Sequence, residues 1–543
     1  MNVNLKLFLA AVLFLAALVL YGPFLHNPPF FDDIKYFEFG QLDNVFLQGF
    51  VFGSRWLPYF SMAWISLLFE DGLLAQRVVS LGTHLLTAYV LYTLVKQVSD
   101  RAAPHANNER AAFAAALLFV LHPLAVYAAG YLIQRTILMA TVFGLLSLNT
   151  YFDGLVTRKK AYFLFSALFY FFSAYSKEHA VLIPAVALAM TPLAGPINRK
   201  TWRELILPFA LFAPIGILVI LQRWGLVGQV YEPFSASIAE VHLGTQNPTL
   251  IWGLSVMTQA ALFFKYLGLM LVPWPSWMSI DMRVPIATEL WNPKYVLAVI
   301  AFVIYGGIAT KLLLKGGRWG LIGFALLAPW LQFLVEFSAA RIQEPFVLYR
   351  AYLWMVPLFV LIPAVSSKLP NVLFWPIVLM TALAFGLASN DRLTTFSSGY
   401  ALWDDAVRKL PSERAMGSAR TYSNRCAWNL RREAWQEGIN DCTRALSVNP
   451  SHKEAYRNRA WANRKLGNYS AALRDANTMI NLYPKDPTPY IVRGQVYSEM
   501  GNADLAIKDF QYGCDQGSMG ACVALETTKK TAGAADQLPV ERK

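Results

Sequence analysis

Residues 7–34 read LFLAAVLFLAALVLYGPFLHNPPFFDDI. An apolar run ends at Tyr21, and two prolines, two phenylalanines and two adjacent carboxylates, Asp32 and Asp33, follow closely. Carboxylates at the edge of an apolar layer are costly to place, and the default reading of such groups is functional. The plainer reading, a solvated loop whose Asp caps a short helix, stays open on this stretch alone. The run itself reads as a retained membrane anchor. Only Lys6 precedes it closely, and no clear small-x-small cleavage site follows.

The rest of the composition agrees with that start. Hydrophobic residues make up 56% of the 543, and the mean hydropathy is +0.39, which points to a polytopic membrane protein. Apolar runs stop near Ala388, and the sequence then turns polar and rich in Arg, Asn, Ala and Tyr. An all-α chain in three parts is expected: a membrane part over 1–390, a soluble part over 400–526, and a flexible tail over 527–543 with few large apolar residues. The net charge of +13 does not mark a nucleic-acid binder, because membrane proteins collect Lys and Arg in their cytoplasmic loops. Membrane lipids are the expected partners, with no nucleic acid.

Eleven spans are expected, near 4–21, 73–97, 110–130, 135–152, 161–175, 179–194, 203–223, 295–314, 318–336, 350–366 and 371–389. The short loops at 96–110, 158–160, 199–203, 311–318 and 368 are basic, so the positive-inside rule places them in the cytoplasm. Leu250–Val272 is apolar but would break the alternation if it spanned, so it reads as a re-entrant or interfacial helix on the outer side. With an odd number of spans, the soluble part falls outside too. The same topology gathers polar groups on the outer side: Asp32 and Asp33, Arg55, Arg135, Lys177 and Glu178, Asp281, and Glu344 with Tyr349 and Arg350. Cations of this kind suit a lipid phosphate. A carboxylate suits a hydroxyl that must lose a proton.

In this order the residues resemble the GT-C class of membrane glycosyltransferases and, more narrowly, the TMTC-type transmembrane and tetratricopeptide O-mannosyltransferases. The matching pieces are Phe31-Asp32-Asp33, Arg55-Trp-Leu-Pro58, Leu121-His122-Pro123 leading to Arg135, and Ser176-Lys177-Glu178. Lys265-Tyr266 with Pro273 and Asp281 follows, then Glu344 with Tyr349-Arg350-Ala-Tyr352. The late motif departs from the family pattern, since Pro345 follows Glu344 and the Arg comes after the Tyr. The resemblance implies an inverting transfer of a sugar from a polyprenyl phosphate to an acceptor hydroxyl, with Asp32 as base and Asp33 close behind. Arg135, Lys177 and Arg350 would hold the leaving phosphate, and Arg55, Glu178, Glu344, Tyr349 and Asp281 would support them. A divalent cation, Mg²⁺ or Mn²⁺, on the first-loop acids is left open, and so is the sugar.

The soluble part repeats. Pro450 recurs as Pro484 and Gly467 as Gly501, each 34 residues on, the tetratricopeptide period of about 34 residues. Repeats are placed at 419–452, 453–486 and 487–518, stacked as helical hairpins with a concave face that could engage an acceptor protein. Arg425, Arg459 and Arg493 share one repeat position and read as a basic stripe or, more plainly, a solvated face. The four cysteines are all in this part, without a CxxC. Cys426–Cys442 and Cys514–Cys522 are expected as disulfides if the part is periplasmic; buried thiols are the alternative.

The expected whole is a bacterial inner-membrane enzyme with its active site and repeats on the periplasmic side, acting on an exported protein. Modification of a surface polysaccharide or lipid, or a non-catalytic assembly factor built on the repeats, are the competing readings.

Overall fold

In the computed structural model, residues 3–38, 41–42, 45, 53–230, 232 and 235–535 are described. The chain is all-helical among them and divides into two compact units, Met1–Leu402 and Trp403–Lys543.

The first unit is a helix bundle around one large apolar core. Among the described residues nine helices are long and apolar enough to cross a membrane, or ten if the pair Asn108–Val120 and Pro123–Ala129, bent by 60°, counts as one. Pro123 accounts for the bend, because it cannot continue the hydrogen-bond ladder of the helix before it. The expected spans at 161–175 and 179–194 form shorter helices, Lys160–Ser176 of 17 residues and Ile183–Ala194 of 12 residues with a 3-10 turn, Glu178–Leu182, before it. Pro248–Leu271, expected as re-entrant or interfacial, is one unbroken 24-residue helix that counts among the nine. Its ends are pinned sideways: Trp252 Nε1 donates to the Phe337 carbonyl at 2.8 Å, and His122 Nε2 meets the Met270 carbonyl at 3.1 Å.

Helices Pro293–Leu314 and Gly317–Phe333 approach closely at Gly323, where an added Cβ would lie 2.1 Å from the Leu313 amide nitrogen. Backbone cannot move aside as a side-chain tip can, so Gly323→Ala is expected to force the two helices apart. A lower unfolding midpoint of the purified protein should report a cost of about 1–3 kcal/mol, the usual range for overpacking.

The second unit is a tetratricopeptide-like array. Three hairpins pair Ser418–Arg431 with Trp435–Val448, Lys453–Lys465 with Tyr469–Leu482, and Pro487–Glu499 with Ala503–Asp515. A seventh helix, Met519–Ala535, follows. It corrects the expected tail: 527–535 is helical, and 536–543 lie outside the described residues. Gly438 sits where a Cβ would meet Leu430 Cδ2 at 2.4 Å, at the repeat position taken by Ala472 and Ala506, so this crossing tolerates only a small residue.

The Arg425, Arg459 and Arg493 stripe is also corrected. Each guanidinium forks onto an Asp 16 residues later on the second helix of its own hairpin. Arg425 Nη2 reaches Asp441 at 2.7 Å, Arg459 Nη2 reaches Asp475 at 2.7 Å, and Arg493 Nη2 reaches Asp509 at 2.8 Å. These are internal ties of each hairpin. Cys426 is joined to Cys442 and Cys514 to Cys522, with Cα–Cα distances of 5.5 and 4.7 Å.

Candidate active site in the helix bundle

The first-loop acids are placed by the residues before them. Phe30 is fully buried and packs on Tyr131 and Phe396, with ring centroids 5.7 and 5.0 Å apart. Arg77, buried in the helix Gly72–Ala102, donates to the carbonyls of Asn27, Pro28 and Gly130 at 2.7–3.1 Å and so ties the loop to the core. Phe31 then takes φ 55°, a region that a bulky residue enters only when its surroundings impose it. The turn starts a six-residue helix, Asp32–Phe37, with both carboxylates in its first turn.

The two acids have different fates. Asp33 is buried, and its carboxylate accepts from the Ile133 amide at 2.8 Å and, more loosely, from Leu132 at 3.4 Å. Burial pushes its pKa up to about 7, against the lowering pull of those two amides and of Arg77. Asp32, by contrast, is half-buried and lines a cavity of about 260 Å³, together with Tyr36, Arg55, Tyr59, Gln134, Lys177 and Tyr349. Its amide donates to the Tyr131 hydroxyl at 3.2 Å. The expected pair is therefore split into one carboxylate on the cavity and one behind it.

Because Asp33 carries a raised pKa in the fold, its contribution to stability is full below about pH 4 and is lost as pH climbs through about 7. The difference in unfolding midpoint between the parent and Asp33→Asn should accordingly shrink from pH 4 to 7 and stay level above it. A difference that is flat across that window would contradict a buried, neutral Asp33.

Lys177 is buried at the end of the helix Lys160–Ser176. Its Nζ donates to Gln134 Oε1 at 3.0 Å and Thr136 Oγ1 at 3.3 Å, and it sits 4.6 Å from the centre of the Tyr349 ring. Among the described residues, no carboxylate lies within ion-pair range of it. Burial, and then the nearby Arg55, hold its pKa well below that of an ordinary lysine. A buried amine whose hydrogen-bond partners among the described residues are neutral is costly to charge, and an incoming anion would offset that cost.

The other expected cations are differently committed. Arg55 forks onto Glu178, Nε to Oε2 at 3.0 Å, and that carboxylate raises its pKa. Arg55 also has φ 66° and stands on the cavity wall. Arg350 Nη1 meets Glu336 at 2.6 Å, and Glu336 is shared with His179 at 3.1 Å and Arg341 at 3.5 Å. Arg350 thus arrives with its charge balanced and is not on the cavity wall. Arg135 turns away towards the Gln76 carbonyl, 2.6 Å off, and Ser80, with Nη1 buried and unpartnered. Asp281 pairs with Arg283 at 2.5 Å and does not line the cavity. The Glu344 amide leans on Glu232 at 3.3 Å.

Glu336, Glu232, Arg77 and the tyrosines Tyr36, Tyr59 and Tyr131 were not singled out from the sequence. Glu232 binds the backbone of Ile342 and Gln343 at 3.0 and 2.7 Å and so fixes the segment before Tyr349. Arg77 and Glu336 carried the signal already used for Lys177, a charge within or at the end of an apolar run.

A Mg²⁺ or Mn²⁺ held by both first-loop acids does not fit this arrangement. The Asp33 oxygens face backbone amides, and Asp32 is the one carboxylate among the lining residues described. No group of three or more His, Cys, Asp or Glu gathers among the described residues.

No family model matches the chain. Among curated proteins, it is 37% identical to mouse serine/threonine-protein phosphatase 5 over 70 residues, 13% of this chain and 14% of that protein. It is 33% identical over 91 residues to a DnaJ homolog subfamily C member 7 homolog of Dictyostelium discoideum, covering 17% of each chain. It is 31% identical over 77 residues to human mitochondrial import receptor subunit TOM70, 14% of this chain and 13% of that one. The chain therefore spans less than a fifth of the length of each of these relatives, a stretch of two to three repeat periods. The crystal structure of the APC/C hetero-tetramer Cut9–Hcn1 aligns over 87% of this chain and 90% of that one, but at 14% identity and a TM-score of 0.22, a likeness too loose to argue from. The class that the repeat matches and the hairpins define is an all-helical protein bearing a tetratricopeptide-like repeat unit.

Proposed function

We propose that the chain is a membrane glycosyltransferase of GT-C type, which moves a sugar from a polyprenyl phosphate to an acceptor hydroxyl on an exported protein. The active site and repeats face the periplasm of a bacterial inner membrane. The observation that carries this reading is one small polar cavity bordered, among the described residues, by one carboxylate, Asp32, and by the buried Lys177, whose hydrogen bonds go to neutral groups. Asp32 takes the proton of the acceptor hydroxyl as its oxygen attacks the anomeric carbon. The bond from that carbon to the phosphate oxygen breaks, and the phosphate leaves with the electron pair. It needs no proton at neutral pH, and Lys177 meets its charge. Tyr36 and Tyr59, stacked with centroids 5.3 Å apart on the cavity wall, offer the ring faces and hydroxyls that a sugar uses.

Lys177→Met separates function from fold. It should lower transfer by about 100-fold, the scale of losing one preorganised charge contact, while the unfolding midpoint holds or rises, because an isolated buried charge is gone. A variant that transfers at the parent's rate would remove Lys177 from the site. The reading as a whole is tested by mass spectrometry of exported proteins in a deletion strain, its parent, and the strain complemented with Asp32→Asn. Loss of one glycan mass in the deletion and in the Asp32→Asn strain supports it.

The likeness to repeat-bearing proteins favours a second reading, an assembly factor without catalysis. That reading predicts full complementation by Asp32→Asn. A change confined to surface polysaccharide or lipid would move the acceptor and leave the chemistry in place.

A further inference from the structure

The end of the bundle far from the first loop carries a second, amphipathic cavity. Arg77 and Lys96 share the helix Gly72–Ala102 and lie 19 residues, about 28 Å, apart along it, close to the thickness of a bilayer's apolar core. Arg77 holds the loop of Asp32, whereas Lys96 lines a cavity of about 410 Å³. One side of its wall is apolar: Leu9, Ala10 and Leu13 of the helix Val3–Tyr21, with Tyr89 and Phe113. The other side holds Lys96, Asp100 and Glu109. Ala10 and Tyr89 are exposed, so the cavity opens sideways, where a membrane would place lipid.

The acids of this end are not equally served. Asp100 takes Lys96 and, at 3.1 Å, Asn108 Nδ2. Asp153 takes Gln97 Nε2 at 2.6 Å, and Glu204 takes Arg158. Glu109 receives the Tyr92 hydroxyl at 3.3 Å and, among the described residues, has no ion pair. Its neighbour Arg110 is turned onto the Leu369 carbonyl, Asn371 and the Phe374 ring. Glu109 stands in the first turn of the helix Asn108–Val120, whose dipole favours the ionised carboxylate. Tyr92 lies one turn before Lys96 on the same face of its helix, and so sets Glu109 beside that lysine. Lys96 is half-exposed, gives one proton to Asp100 and has two more to give.

We propose that this cavity binds one phosphatidylethanolamine molecule. Its ammonium donates to Glu109, its phosphate accepts from Lys96, and one acyl chain lies along Leu9, Ala10 and Leu13. The order of charges decides between lipids. Phosphatidylglycerol brings no cation for the unmatched carboxylate, and the trimethylammonium of phosphatidylcholine has no N–H to give it. The inference rests on the membrane placement of the bundle in the reading above and on none of its chemistry.

The test is native mass spectrometry of the full chain, delipidated in detergent and titrated with phosphatidylethanolamine, phosphatidylglycerol or phosphatidylcholine. One phosphatidylethanolamine per chain should be held about tenfold more tightly than either other lipid, the scale of one charge-assisted hydrogen bond. Glu109→Gln keeps the side chain's shape and should level the three lipids. Ala10→Trp, which fills the apolar side and keeps every charge, should weaken all of them. Unfolding midpoints measured without lipid control for folding. Equal binding of the three lipids by the parent, an unchanged preference in Glu109→Gln, or parental binding by Ala10→Trp would overturn the proposal. Transfer measured in the Asp32→Asn strain is independent of this titration, so the two readings fail separately.

Discussion

Asp32→Asn should abolish sugar transfer. A positioned general base contributes about 10²–10⁴-fold, and Asp32 is the lone carboxylate among the cavity-lining residues described. The expected readout is the initial rate of sugar release from a polyprenyl-phosphate donor, in membranes adjusted to equal protein. Expression should hardly change, because Asn matches Asp in size and keeps the backbone amide that donates to the Tyr131 hydroxyl. Asp33→Asn is the matched control. Its carboxylate serves the amides of Ile133 and Leu132, so the loss should be smaller and should appear partly as stability. If the two variants were to lose equal activity, the division of labour between neighbouring acids would be wrong. If neither lost any, the transferase reading would go.

The second large effect is on the fold. Glu336 is 1% exposed and balances Arg350, with His179 and Arg341 on the same carboxylate. Removing one member of a buried ion cluster leaves the others charged in a poor solvent, at a cost of about 3–5 kcal/mol. Glu336→Ala should therefore lower the unfolding midpoint more than any cavity variant does, and transfer should fall with it as Tyr349 loses its support. Glu336→Gln keeps hydrogen-bonding capacity and should fall between. A midpoint for Glu336→Ala within error of the parent would show that the cluster is not held as described.

Much of the architecture was legible because it repeats or because it is apolar. Prolines and glycines at 34-residue spacing set the three hairpins nearly to the residue. Long apolar runs marked most helices of the bundle. What escaped was pairing at a distance. Arg350 looked like a free cation because Glu336 lay inside what read as the end of an apolar span. Arg425, Arg459 and Arg493 looked like a surface stripe, although Asp441, Asp475 and Asp509 recur with the same 34-residue period. Two series with one period and a constant offset of 16 are a sign of cross-helix ties, and that offset was there to be counted. The short helices were missed as such because hydropathy measures apolarity, not where the chain stops being helical. The turn at Phe31 was invisible for a related reason: a left-handed phenylalanine is imposed by its neighbours and not by its own preference.

One feature of the repeats bears on how the chain responds to force. In the first hairpin the ionic tie Arg425–Asp441 is doubled, one residue on, by the covalent bridge Cys426–Cys442. The corresponding places in the other two hairpins hold Ala460 with Ala476 and Gly494 with Phe510, which no bridge can join. A pull travelling down the polypeptide from the bundle reaches the bridged hairpin before the others. Tension applied there cannot peel its two helices apart beyond a 16-residue loop, so the array is reinforced at the point where a load would enter, and reduction should remove that reinforcement.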